Sequence, residues 1–277
     1  MLKRCVSGAV FVAVIVGFFF LRTVDVRLFN ILIYALSLLG TFEVWRAMKG
    51  GKENDVFAGG SGAALTAVVS LCALAFVPVA TFFGAGWGAA VLGAGVLFAL
   101  ALLAIREGSL PARYFGAGVL PVLYPNALLL AMVAANGHGE HSLLALLMIF
   151  VTSPLADTFA YLVGSMIGGR KLCPGISPNK TVSGAIGGLA GGAAGALALY
   201  FIFRPDLGVG CEWLIFLAIG LVAAFFTEAG DLFESWIKRR VGIKDMGRIM
   251  PGHGGIMDRI DGILFCSLFI APVFLFL

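Results

Sequence analysis

Charged side chains are scarce in this sequence. Asp, Glu, Lys and Arg make up 12% of its 277 residues, against about 25% in a soluble domain. With a mean hydropathy of +1.02, so few charges exclude an ordinary water-soluble globular protein. Cysteine spacing is equally sparse in information. Cys5, Cys72, Cys173, Cys211 and Cys266 contain no Cys-x-x-Cys pair, and most lie in or beside apolar runs. That argues against a zinc site or a disulfide framework and leaves them as small packing residues. A small-residue cleavage site is missing after Phe20, so the first apolar run is expected to be a span rather than a secretory signal peptide.

What the chain does have is apolar sequence, in uncharged runs at 5–21, 28–42, 56–105, 114–137, 142–156, 181–203, 213–227 and 262–277. A spanning helix needs roughly 20 such residues. The run 56–105 is long enough for two, with GAGWG at 84–88 as the break. Spans are predicted near 5–21, 27–45, 61–82, 88–105, 114–135, 142–167, 181–203, 212–234 and 260–277. The fold class is therefore an all-α polytopic integral membrane protein of one domain, 1–277. Within it, residues 1–140 form less specific helices and 141–277 carry the site. With these spans, all but Arg22, Arg27 and Arg204 of the nineteen basic residues fall on one side. The positive-inside rule then puts the N-terminus in the cytoplasm and Leu277 outside. The net charge of +4 follows this topology, and no nucleic-acid partner is expected. The seventh span carries two glycine series, Gly184, Gly188, Gly192 and Gly187, Gly191, Gly195. Each recurs every four residues, a stripe that lets neighbouring backbones approach closely.

Carboxylates inside a membrane cost on the order of 3 kcal/mol each and are functional candidates. Asp157 in the sixth span, Glu228 and Asp231 in the eighth and Asp261 in the ninth all fall roughly 22–28 Å from the outer boundary at 1.5 Å per residue. Asp258 shares a helix face with Asp261, and Asp231, Ser235 and Lys238 form another stripe. Clustered carboxylates repel unless a cation sits among them. Magnesium, held by one or two carboxylates and substrate phosphates, suits such a group; simple ion pairs with nearby Lys or Arg are the alternative. Lys180, Lys238, Arg239, Lys244 and Arg259 fall on the same side of the membrane, as a phosphorylated substrate requires. Two other classes stay open on these residues: a cation-coupled transporter, though no inverted internal symmetry is visible, and a membrane lipid or prenol kinase.

The stretch SWIKRRVGIKDMGRIMPGHGGIMDRID, residues 235–261, resembles the signature of the phosphatidate cytidylyltransferase (CDP-diacylglycerol synthase) family. Ser235, Ile237, Lys238, Arg239, Lys244, Asp245, Gly247, Pro251, His253, Gly254, Gly255, Asp258, Arg259 and Asp261 occupy its places without a gap. Gly230-Asp231-Leu232 precedes it as in the family. KLCPGISPNKTVSG at 171–184 is similar to a second family segment through Lys171, Leu172, Pro174, Ser177, Pro178, Lys180 and Thr181, with Ser183 where many members have Glu. The first 140 residues match only in hydropathy.

The resemblance implies a magnesium-dependent nucleotidyltransferase of the bacterial plasma (inner) membrane. It takes CTP and phosphatidic acid, itself a membrane lipid, to CDP-diacylglycerol and pyrophosphate, with its site open to the cytoplasm. It implies metal ligation by Asp231, Asp258 and Asp261, with Asp157 and Glu228 as further candidates, and catalytic roles for Asp231, Lys238, Asp258 and Asp261. Substrate binding then falls to Ser177, Lys180, Ser235, Arg239, Lys244, Arg259 and His253, the last in a glycine-rich turn whose backbone N–H groups can approach an oxyanion. A second, monovalent cation such as K+ is implied without ligands, and a homodimer is left open.

Overall fold

Apolar runs of this length satisfy their backbone hydrogen bonds inside a membrane only as helices, and the chain is nearly all helix. A computed structural model describes residues 2–50, 59–107, 112–137, 139–208, 210–252 and 254–277. Among the described residues the helices are α1 (Leu2–Arg22), α2 (Val26–Gly50), α3 (Gly59–Phe83), α4 (Ala85–Glu107), α5 (Ala112–Gly137), α6 (Ser142–Ile167), α7 (Val182–Phe203), α8 (Glu212–Val241) and α9 (Met257–Phe276). Eight of them, α2 to α9, are long and apolar enough to cross a membrane, and the apolar stretch of α1, Val6–Arg22, is shorter.

Two features depart from the hydropathy pattern. Helix α8 continues past 234 to Val241, so Lys238, Arg239 and Arg240 lie in its last turn, where cations complement the helix dipole. Between α6 and α7 the chain forms an antiparallel hairpin of β1 (Lys171–Cys173) and β2 (Ser177–Thr181).

Contacts divide the chain into two compact units. The first comprises residues 1–137 with 238–259, and the second 138–237 with 260–277. The signature stretch thus belongs largely with the N-terminal helices. In the first unit Phe29, Ile33, Phe76, Leu129 and Met132 are fully buried. Uncharged polar side chains link its helices across the apolar core. Ser37 donates to Asn126 at 2.8 Å, Asn126 donates to Thr41 at 3.0 Å, and Asn136 donates to Asn30 at 2.8 Å. Such bonds hold helices together where no hydrophobic difference between lipid and protein does so.

The second unit packs through its glycines. Gly187 and Gly191 of α7 lie against Val163 and Phe159 of α6, and Gly184 against the Ala160 carbonyl. Gly192 faces the other way, toward Gly220 and Ala224 of α8. A Cβ there would stand 2.6 Å from the Ala224 Cβ and 2.8 Å from the Gly220 carbonyl oxygen. Gly192→Val is expected to cost about 1–3 kcal/mol by overpacking. Thermal unfolding in detergent should show the loss, whereas Gly86→Ala, which meets nothing within 4 Å, should leave the midpoint in place on this steric ground.

Candidate active site

In the second unit four acids gather from three helices. Helices α8 and α9 approach backbone to backbone at Gly230, where a Cβ would stand 2.6 Å from the Asp261 carbonyl oxygen. That contact, one residue before Asp231, brings Asp231 and Asp261 to one place. Gly188 of α7 makes room for the Glu228 carboxyl in the same way. Asp157 of α6 lies within electrostatic reach of Asp261, Asp231, Glu228 and Lys180. Asp261 and Glu228 are buried, whereas Asp157 keeps an accessible surface. Glu228 Oε1 is buried without a hydrogen-bond partner.

Lys180 brings a cation into this group. Thr181 caps α7 by accepting from the Gly184 N–H at 3.1 Å, and the residue before it, Lys180, places Nζ 2.7 Å from Asp231 Oδ2. Ser235, one turn further along α8, donates to Asp231 Oδ1 at 3.4 Å. Burial alone would lower the Lys180 pKa. The charge and hydrogen bond of Asp231, with Glu228 and Asp157 behind it, outweigh that and raise it above the ordinary 10.5. Ser177 starts the same strand and sits opposite Cys173 in the ladder, with a register irregularity between it and Thr181. Ser183 Oγ donates to the Gly168 carbonyl at 2.5 Å and pairs with Thr181 Oγ1 at 3.1 Å, which ties the end of α6 to the start of α7.

A raised lysine pKa contributes stability below the unfolded-state value, and that contribution is lost as pH rises through the folded one. The Lys180–Asp231 pair is therefore expected to stabilise the fold evenly across neutral pH and to fail only above 10.5. The difference in unfolding midpoint between wild type and Lys180→Gln, followed from about pH 6 to 11, should be flat and then shrink.

The first unit holds the other predicted residues. Lys238 and Asp258 form a buried pair, Nζ to Oδ1 at 2.8 Å, with side chains 10% and 5% exposed. Asp258 Oδ2 accepts from the Met246 N–H at 3.0 Å and the Gly255 N–H at 2.8 Å. Both oxygens of Asp258 are thereby engaged, and Met246 and Gly255 are tied to the first turn of α9. Lys244 is exposed and lines a cavity of about 430 Å³ with Arg46, Asp245 and Arg248. Arg239 donates to the Ile243 carbonyl at 3.4 Å, and Arg259 is exposed. His253 lies outside the described residues.

An acid that the sequence reasoning passed over joins this unit. Glu43 of α2 is 1% exposed and accepts from the Ile256 N–H at 3.1 Å and the Met257 N–H at 2.9 Å. It interrupts an otherwise uncharged run, the signal that singled out Asp157, and could have been found by it. Among the described residues no group of three or more His, Cys, Asp or Glu side chains stands in position to hold a metal ion. Asp231 and Asp261, with the unpartnered Glu228 Oε1 nearby, are the carboxylates that could hold a hard divalent cation sharing substrate oxygens.

The model of the cytidylyltransferase family matches residues 2–277. The chain is 32% identical over 240 residues to a phosphatidate cytidylyltransferase of Brucella abortus, covering 82% of this chain and 86% of that one. It is 44% identical over 131 residues to a phosphatidate cytidylyltransferase of Staphylococcus aureus, 47% of each chain.

Proposed function

Because the chain belongs to the cytidylyltransferase family, we propose that it transfers CMP from CTP to phosphatidic acid in the bacterial plasma membrane. A phosphate oxygen of the lipid attacks the α-phosphorus of CTP. The bond from that phosphorus to the oxygen bridging to the β-phosphate breaks, and pyrophosphate leaves with that electron pair. CDP-diacylglycerol is the other product. The observation that carries this assignment is the family match over residues 2–277; the carboxylates of α8 and α9 at one backbone contact, with Lys180 against Asp231, supply chemistry that suits it.

The lipid phosphate is already anionic and needs no general base. What opposes attack is repulsion between phosphate groups and charge on the leaving group, which preorganised positive charge lowers. Lys180 is the residue for this role in the acid cluster. Its raised pKa keeps it charged, and Asp231 holds it in place. Asp231 and Asp261 would hold Mg2+, which supplies further positive charge to the phosphate oxygens when bound. Lys244, Arg46 and Arg248 line a cavity suited to anionic oxygens. Lys238 and Asp258 act on a different level, fixing the signature stretch. The basic side of the chain, by the positive-inside rule, faces the cytoplasm, where CTP is found.

The test uses the purified full chain in detergent with phosphatidic acid and CTP. Label in the α-phosphate should enter lipid, and label in the γ-phosphate should not. A chelator should stop the reaction and added Mg2+ restore it. Entry of γ-label would reassign the protein as a lipid kinase.

A further inference from the structure

Two carboxylates grip the signature stretch. Asp258 takes the amides of Met246 and Gly255, and Glu43 takes those of Ile256 and Met257. Met257 is the first residue of α9, so Glu43 caps this helix from α2, more than two hundred residues away in the chain. Two N–H groups that a helix start leaves open each meet one of its oxygens, and its charge suits the positive end of the dipole.

The glycines around it explain themselves by the same contact. A Cβ on Gly247 would stand 2.9 Å from Glu43 Cγ and nearer still to the carboxyl group. A Cβ on Gly255 would stand 2.6 Å from Glu43 Oε1. Neither glycine has a positive φ, unlike Gly252 and Gly254 in the same stretch. Their backbones would accept alanine; the space beside Glu43 would not. One turn earlier on α2, a Cβ on Gly40 would meet Met257 Sδ at 2.9 Å, so α2 is cut away for α9 there as well.

We propose that Glu43 is a positioning residue for the cytidylyl transfer. It seats Gly247 and residues 254–257 so that the Lys238–Asp258 pair is held in register, and glycine is needed at 247 and 255 because Glu43 occupies the space beside them. The catalytic part of this inference rests on the proposed function; the steric part does not.

A double-mutant cycle between Glu43→Ala and Gly255→Ala tests it, read by turnover and by thermal midpoint in detergent. In the wild-type background Gly255→Ala should lower kcat about 30-fold, and in the Glu43→Ala background it should add no more than about 3-fold, the mark of coupled sites. Equal losses in both backgrounds overturn the inference. Should Gly255→Ala fail to fold alone, folding must return when Glu43→Ala is added; continued failure overturns it too.

Glu43→Gln keeps the shape but leaves one oxygen to accept where two are needed. It should lower kcat about 10-fold with KM for CTP within about 2-fold, as for an effect on the chemical step rather than on binding. An unchanged kcat with only a lower midpoint would reduce Glu43 to a structural residue and overturn the positioning role. If wild type forms no CDP-diacylglycerol, the proposed reaction is wrong. The midpoint cycle still decides whether Glu43 dictates the two glycines.

Discussion

Asp231→Asn and Asp261→Asn should each lower CDP-diacylglycerol formation by about 10²–10³-fold or more, the scale of losing a group that stabilises charge in the transition state. The change removes a charge and keeps the shape. Asp261 is 8% exposed and sits where α8 and α9 meet, yet asparagine fits the same volume, so unfolding midpoints should stay within a few degrees. Asp231 has a second task, since it holds Lys180 at 2.7 Å. Comparison with Lys180→Met separates the two. If Asp231 only anchors the lysine, both variants fall equally; if it ligates metal, Asp231→Asn falls further and its residual activity no longer responds to Mg2+. Near-normal product formation by both asparagine variants removes the metal assignment.

The Lys238–Asp258 pair should give the largest stability effects. Removing one partner of a buried pair typically costs 3–5 kcal/mol because the other charge is left uncompensated. Lys238→Met leaves Asp258 buried with only the Met246 and Gly255 amides. At about 2–4 °C per kcal/mol for a chain of this size, the midpoint should fall by roughly 10 °C. Lys238→Arg is not conservative here. A bulky planar guanidinium replaces a compact ammonium in a slot where the side chains are 10% and 5% exposed. It should lose most of the activity that Lys238→Met loses. The double variant Lys238→Met/Asp258→Leu should recover much of the stability, since apolar replacements of buried pairs are often neutral, and none of the turnover. Recovery of turnover would show that the pair has no part in placing the signature stretch.

Hydropathy made the helices legible because nothing else in this chain can satisfy a backbone in lipid. The predicted span 142–167 coincides with α6, and 181–203 differs from α7 by one residue. It was less informative where a helix leaves the apolar layer. Lys238, Arg239 and Arg240 look like loop residues by charge, yet they extend α8 because its last turn favours cations. The hairpin at 171–181 was invisible, its strands being three and five residues long with Pro178 in the second.

Among the candidate residues, Asp157 lies within electrostatic reach of Glu228, Asp231 and Asp261, residues that their shared distance from the outer span ends had grouped. Asp258 sits one turn before Asp261 on α9, yet both its oxygens are engaged by Lys238 and two amides. Spacing tells which residues share a face, not which of them already has partners. Glu43 carried the same signal as Asp157, an acid within a predicted span, but its partners are the main-chain amides of Ile256 and Met257, so its role was legible only in the structure.

The glycine stripe of α7 has a mechanical consequence. Gly184, Gly187, Gly188 and Gly191 bring the backbone of α7 against main-chain carbonyls of α6 at Ala160, Phe159, Ala156 and Leu155, so close an approach that one helix has little room to slide on the other. The hairpin closes the same pair at one end, through Ser183 on the Gly168 carbonyl. Helices α6 and α7 are thus clamped into a single beam, and Asp157 and Lys180 ride on it as fixed points. Whatever adjustment the carboxylates make when substrate arrives and product leaves must come from the side of α8, which meets this beam at Gly192, and of α9, which meets α8 at Gly230.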